Sequence, residues 1–136
     1  MKYFTREASQ QLRNWRGRLR WDSLWRQYGQ QLTRTRDQLT PGWRELADID
    51  FHDATILAVE RPTASEVLLR VELGGERICT LHFLGVREAR ISESAIGDVW
   101  LYAEIHSNAD GCGDLQVLLH RNELQITAPD VGVFRN

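Results

Sequence analysis

Up to about residue 48 the apolar positions recur every three to four residues, and from residue 51 they alternate with polar ones, so a helical segment precedes a run of strands. Within 5–39, Leu24, Trp25, Tyr28, Leu32, Thr35 and Leu39 mark one helical stripe, and Leu12, Trp15 and Leu19 a shorter one upstream. Gly17 and Trp21-Asp22-Ser23 predict a break between the two, with Asp22 or Ser23 as N-cap of the second helix. Gly29 weakens that helix by about 1 kcal/mol relative to alanine. Thr40-Pro41 places a capping hydroxyl before proline in the first helical position, which predicts a short helix through Trp43 and Leu46.

The alternation predicts strands over 53–60, 66–73, 77–84, 98–106, 114–120 and 123–128. Gly74-Gly75 signals a tight hairpin and Arg121-Asn122 a second short turn, while 61–65 is a longer connection. Residues 85–97 read as an irregular loop or a turn of helix. Short connections make successive strands antiparallel neighbours. One face should hold Val67, Leu69, Val71 and Leu73, then Cys79, Leu81 and Phe83, then Val99, Leu101, Ala103 and Ile105. The face opposite that last row would carry Trp100, Tyr102, Glu104 and His106. The expected fold is α+β, with N-terminal helices packed on one face of an antiparallel β-meander of about six strands.

Composition keeps this within one domain. The 136 residues are 42% hydrophobic and 26% charged, ordinary for a globular chain that needs no disulfide or metal to fold. We therefore read 1–136 as a single domain, with a basic, Trp-rich helical part over 1–48 and an acidic β part over 49–136. The opening MKYFTREASQ lacks a signal-peptide apolar region, and no apolar run nears the ~20 residues of a membrane helix. The expectation is a cytoplasmic protein with no membrane contact and both cysteines reduced. Cys79 falls in a strand pattern and reads as core, and Cys112 lies in the turn-like run Asp110 to Asp114, where exposure is expected.

Charge changes the picture more. Residues 1–44 hold ten Lys and Arg against Glu7, Asp22 and Asp37, a balance of +7, and the remainder holds seven against sixteen, a balance of −9. Either the two parts neutralise each other across an internal interface, or the first meets an acidic partner or nucleic acid. Trp15, Trp21, Trp25 and Trp43 are interleaved with Arg13, Arg16, Arg18, Arg20, Arg26 and Arg44. Arginine forks hold phosphate and stack on rings, so Arg13, Arg16, Arg20 and Arg26 form a candidate basic patch. The competing reading buries the tryptophans and lays the arginine stems over the core rim. It predicts that Trp15, Leu19, Trp25 and Leu32 bury against the sheet.

Candidate chemistry elsewhere is sparse. His52-Asp53 resembles the step used by metal phosphohydrolases, but it precedes a strand and lacks further spaced ligands, so Asp53 bonding backbone at the strand entry is favoured. His82, Glu104 and His106, with His120 and Asp114, would share a sheet face, yet no tight ligand spacing supports a metal centre. Asn108-Ala109-Asp110-Gly111 opens like a calcium loop, but Leu119 stands where the bidentate glutamate is needed, leaving a hairpin turn. Nothing marks a catalytic residue, a metal ligand or a cofactor. The residues retained as candidate binding positions are His52, Asp53, His82, Trp100, Tyr102, Glu104 and His106.

The opening MKYFT, the Trp/Arg-rich helical stretch and Phe51-His52-Asp53-Ala54 leading into a strand resemble a bacterial family of unassigned function. Its members begin with almost the same five residues and carry a His-Asp-Ala/Ser step before a β-meander. The resemblance covers the first residues and about 46–60, and it implies no activity. A looser likeness, in the layout of His-Asp then meander, is to bacterial toxin-immunity proteins. The functional expectation is a protein-interaction domain, immunity-like, in which the acidic sheet region meets a basic protein partner. The alternative is a nucleic-acid-binding module using the Arg/Trp-rich helices, and a metal-dependent hydrolase at His52 and Asp53 ranks third. The expected assembly is a monomer or homodimer.

Overall fold

The computed structural model describes all 136 residues. Helix α1 spans Arg6–Gln10 and runs through a 3-10 turn at Gln11–Arg13 into α2, Trp15–Thr35. The chain breaks at Asn14, earlier than expected, because the Asn14 side chain accepts the Gly17 N–H and caps α2 there. Helix α2 then continues unbroken through Trp21-Asp22-Ser23 and Gly29. Gly17 does not break it either: a methyl at this position would overlap the Gln11 carbonyl, so glycine is what lets the two helices meet closely. After a second 3-10 turn at Arg36–Gln38, α3 covers Pro41–Ala47, where the Thr40-Pro41 signal put it.

Eight strands follow in place of six: β1 Thr55–Glu60, β2 Glu66–Leu73, β3 Arg77–Leu84, β4 Glu88–Arg90, β5 Trp100–Ser107, β6 Gly113–Leu119, β7 Glu123–Ala128 and β8 Asp130–Arg135. They form two four-stranded antiparallel sheets, ordered β1-β2-β3-β8 and β4-β7-β6-β5. The single meander is thus corrected to a pair of sheets. β4 lies in the stretch read as irregular, which also holds a 3-10 turn at Glu93–Ala95, and β8 returns the chain to the first sheet beside β3.

The sheets face each other, and their inner rows form one core. Val67, Leu69, Val71, Cys79, Leu81, Phe83 and Val131 meet Ile105, Leu115, Val117, Leu119, Leu124 and Ile126. Trp43 of α3 is fully buried in this core, its ring 5.8 Å from Phe83, and its Nε1–H donates to the Ala128 carbonyl at 3.0 Å. A side chain at Gly113 would overlap the Trp43 indole, so the strand passes the ring only as glycine. The expected core residues Leu69, Val71, Leu81, Phe83 and Ile105 are buried, but Leu101 is only half-buried. The pairing of β5 with β6 shifts between Trp100 and Tyr102, and a bulged residue reverses the sides before it. Trp100 consequently turns inward and stacks on Phe51 at 4.6 Å, while Ala103 and Ile105 keep the expected side.

Helix α2 covers the outer face of the second sheet at β5, with the first residues of the chain between them. Tyr3, Phe4, Ala8, Trp21 and Tyr28 bury there against Tyr102. The buried stripe of α2 is therefore Trp21, Tyr28 and the half-buried Leu24 and Leu32. Trp15 at 62%, Leu19 at 58% and Trp25 at 47% remain exposed, against the expectation that they bury. The helix is rotated from the expected phase because Phe4 and Tyr3 supply apolar surface that is invisible in the α2 periodicity. The two cysteines are unpaired and both buried, including Cys112: Asn108 accepts the Cys112 N–H and folds it inward.

Candidate functional site

The candidate residues separate into four places. His82 lies on the outer face of the first sheet, where its Nε2 sits 2.6 Å from Glu66. Glu104 and His106 lie on the outer face of the second sheet, so the expected sharing of one face by His82, Glu104 and His106 is corrected. His120 is exposed at the β6–β7 turn, and Asp114 accepts from Gln116, Gln125 and Thr127. No three His, Cys, Asp or Glu side chains are grouped so as to hold a metal ion.

Glu104 is fully enclosed. Its Oε2 accepts the N–H groups of Tyr3 and Phe4 at 2.8 and 2.7 Å, and its Oε1 accepts the Lys2 N–H and faces His106 Nε2, each at 3.0 Å. Burial pushes this carboxyl upward, but the His106 bond and the three backbone donors outweigh it and hold it below the usual glutamate range. Tyr3 stacks on the His106 ring at 6.3 Å. The MKYFT start is thus the strap that covers β5, and Glu104 is its anchor, a structural role that strand alternation alone did not reveal. Burial also pushes the Tyr28 hydroxyl up to about 12, so it stays neutral and accepts the Ile105 N–H at 2.7 Å.

His52, Trp100 and Tyr102 come together at a groove of about 580 Å³ between α2, residues 46–52 and β5. Its walls are largely apolar, including Trp25, Leu32, Ile49, Phe51 and Leu101. Phe51 to Ala54 forms a tight turn, closed by the Ala54 N–H on the Phe51 carbonyl. Asp53 occupies it with φ of 66°, a conformation aspartate tolerates better than most residues. The Asp53 N–H donates to the Trp100 carbonyl, and the Trp100 N–H to Ala54. His52-Asp53-Ala54 therefore docks the entry of β1 onto the start of β5. The His52 ring is 3.2 Å from Asp53 and rests on Tyr102, ring centroids 5.5 Å apart. At the rim, Arg36 donates both fork nitrogens to Asp48, which holds Asp48 below its ordinary value. Asp50 accepts the His52 N–H and makes no ion pair.

The fourth place is the outward side of α2 and of the turn before it. Arg13, Arg16, Arg18, Arg20 and Arg26 are exposed, and none makes a salt bridge. Arg16 lies over the Trp15 ring and Arg20 donates to the Gln11 side chain. Between the basic part, 1–44, and the acidic remainder the one salt bridge is Arg36–Asp48, which lies past the C-terminal end of α2 and involves none of these five arginines. Elsewhere the Arg6 fork rests on the carbonyls of Leu119, His120 and Asn122, and the Arg135–Glu45 pair lies within the acidic remainder. The tryptophans that bury against the sheets leave these arginines pointing into solvent around Trp15 and Leu19.

A family model described as a protein of unknown function, DUF4085, matches residues 1–128. No curated protein matches the chain. No helix is long and apolar enough to cross a membrane.

Proposed function

We propose, for a chain that belongs to the DUF4085 family of proteins of unknown function, a role in binding single-stranded nucleic acid through the outward face of α2. The observation that carries this reading is the set of five exposed arginines over residues 13–26, with Arg16 lying over the exposed Trp15 ring and no carboxylate paired to any of them. An arginine fork matches two phosphate oxygens, and an exposed indole offers a platform on which a base stacks. From Arg16 to Arg26 helix α2 rises about 15 Å, enough to follow two or three successive phosphates. Asp22 is the one acidic residue in that stretch, so the face keeps a strong positive balance. A duplex hides its base faces and leaves Trp15 unused, which favours single strands.

The test is a fluorescence titration with single-stranded and duplex oligonucleotides at two salt concentrations. Neutralising two or three phosphates makes the logarithm of the affinity fall with log salt at a slope of about −1.4 to −2. We expect tighter binding to single strands, loss of stacking in Trp15→Ala, and a shallower salt slope in Arg16→Ala with Arg20→Ala. Binding that neither substitution weakens would overturn the proposal. The interaction reading has support of its own in Asp50 at the groove. The hydrolase reading has none: Asp53 projects to solvent from a turn whose backbone geometry accounts for its residue type.

A further inference from the structure

We infer that the groove between α2 and β5 receives a short extended peptide from a partner, paired to the open edge of β5 and carrying a basic side chain toward Asp50. The site is separate from the arginine face and stands whether or not that face binds nucleic acid. β5 is an outer strand of the second sheet, bonded only to β6 along its other side. Both ends of its free edge are already occupied within the chain. At Trp100 the partners are Asp53 and Ala54, and at Ile105 the N–H donates to the Tyr28 hydroxyl. Since the Ile105 N–H points away from β6, alternation turns the N–H and C=O of Ala103 the same way. Ala103 lines the groove, so one donor and one acceptor of a strand edge open into an apolar cavity.

The surroundings state the ligand's chemistry. A cavity of about 580 Å³ lies within the range of ~300–1,000 Å³ that holds drug-sized ligands, and it suits a few residues of extended chain. Leu32, Ile49 and Leu101 accept apolar side chains on one side of such a chain. Asp48 is neutralised by Arg36, which leaves Asp50 as the lining carboxylate without an ion pair and therefore selects a Lys or Arg. Main-chain bonds to an exposed edge with pockets for alternate side chains are the usual form of strand addition.

The probes are capped tetrapeptides in which Val, Leu or Ile alternates with Lys or Arg, a matched set with Glu or Asp, and a basic set with alternate amides N-methylated. Binding to the intact protein is read from the Ala103 amide in heteronuclear spectra and from tryptophan fluorescence. We expect a saturable shift of Ala103 with the basic set and at least about tenfold weaker binding of the acidic and N-methylated sets. Asp50→Asn keeps the acceptor for His52 and should erase the preference for basic over acidic peptides. Ala103→Pro removes the N–H that points into the groove and should abolish binding while the Leu115 and Val117 amides stay in place, since proline is tolerated on a free edge. If that variant fails to fold, the N-methylated set on the native protein decides. No Ala103 shift at millimolar peptide, or equal binding of the N-methylated set, would sink the inference.

Discussion

The outer faces of the two sheets carry the same pair of residues in different settings. On the first, His82 meets Glu66 at 2.6 Å with about a quarter of each side chain exposed, 27% and 26%. On the second, His106 meets Glu104 at 3.0 Å, and the carboxylate has no exposure. The pairs are chemically alike, and what separates them is the cover. Lys2, Tyr3 and Phe4 lie over Glu104 and supply three backbone donors, whereas Glu66 receives only the Thr63 hydroxyl from the adjoining turn besides His82 and stays a quarter exposed. A histidine beside a glutamate on a strand face is therefore a surface pair or a structural anchor according to which distant segment reaches it.

The largest effect follows from removing the anchor. Glu104→Ala leaves three N–H groups in an enclosed site without acceptors and should cost about 3–5 kcal/mol in chemical denaturation, as breaking a buried charge network does. A loss no greater than that of Glu66→Ala would show that the strap contributes nothing. Next come the inner rows. Leu81→Ala, at a fully enclosed position, should cost about 2–5 kcal/mol, and Leu101→Ala, on the bulge, clearly less, because its half-exposed site refills with water. Equal losses would mean that the bulge does not turn Leu101 out of the core.

A smaller and more selective effect comes with acid. Because folding lowers the carboxyl of Glu104, its contribution is full above the unfolded value of 4.5 and is lost as pH falls through the lower folded value. Asp98 is lowered by its bonds from Asn122, Arg121 and Val99 against its own burial, and it acts in the same sense below 3.8. Denaturation midpoints followed downward from neutrality should fall more steeply in the native protein than in Glu104→Gln, with the remaining slope carried by Asp98. Parallel curves would separate Glu104 from acid stability. The smallest effect is expected at the half-buried His82–Glu66 pair, where Glu66→Gln keeps an acceptor for His82 and should change stability by less than about 1 kcal/mol.

The helical and strand classes, the start of α3 and most inward rows were legible because alternation is a local property. The six expected strands all formed. β4 was missed because Glu88-Ala89-Arg90 offers one apolar residue between two charges, and β8 because Pro129 directly precedes it and Gly132 interrupts it while Phe134 falls on the outer side. The division into two sheets follows from the return of β8 to β3, a long-range choice without a local signal. The phase of α2 was misread for a related reason: Trp15, Leu19 and Trp25 are as apolar as Trp21, and only the position of Phe4 decides which of them is covered. At the groove, His52, Trp100 and Tyr102 are candidates from the sequence, whereas Ala103 reads there only as a core position, since a backbone edge has no residue signature.

The strap at Glu104 also bears on the order of folding. Its bonds join residues 100 to 102 apart in sequence, and the Trp43–Ala128 bond joins residues 85 apart. Closing a loop of about a hundred residues costs roughly 4 kcal/mol in its length-dependent part alone, so such contacts are poor nuclei. The hairpins β2–β3 and β6–β7 close far shorter loops and should assemble first, with the opening residues docking once β5 is in place. A chain lacking Glu104 should consequently fold at nearly its native rate and unfold much faster, so the first four residues set how long the folded protein lasts rather than how quickly it forms.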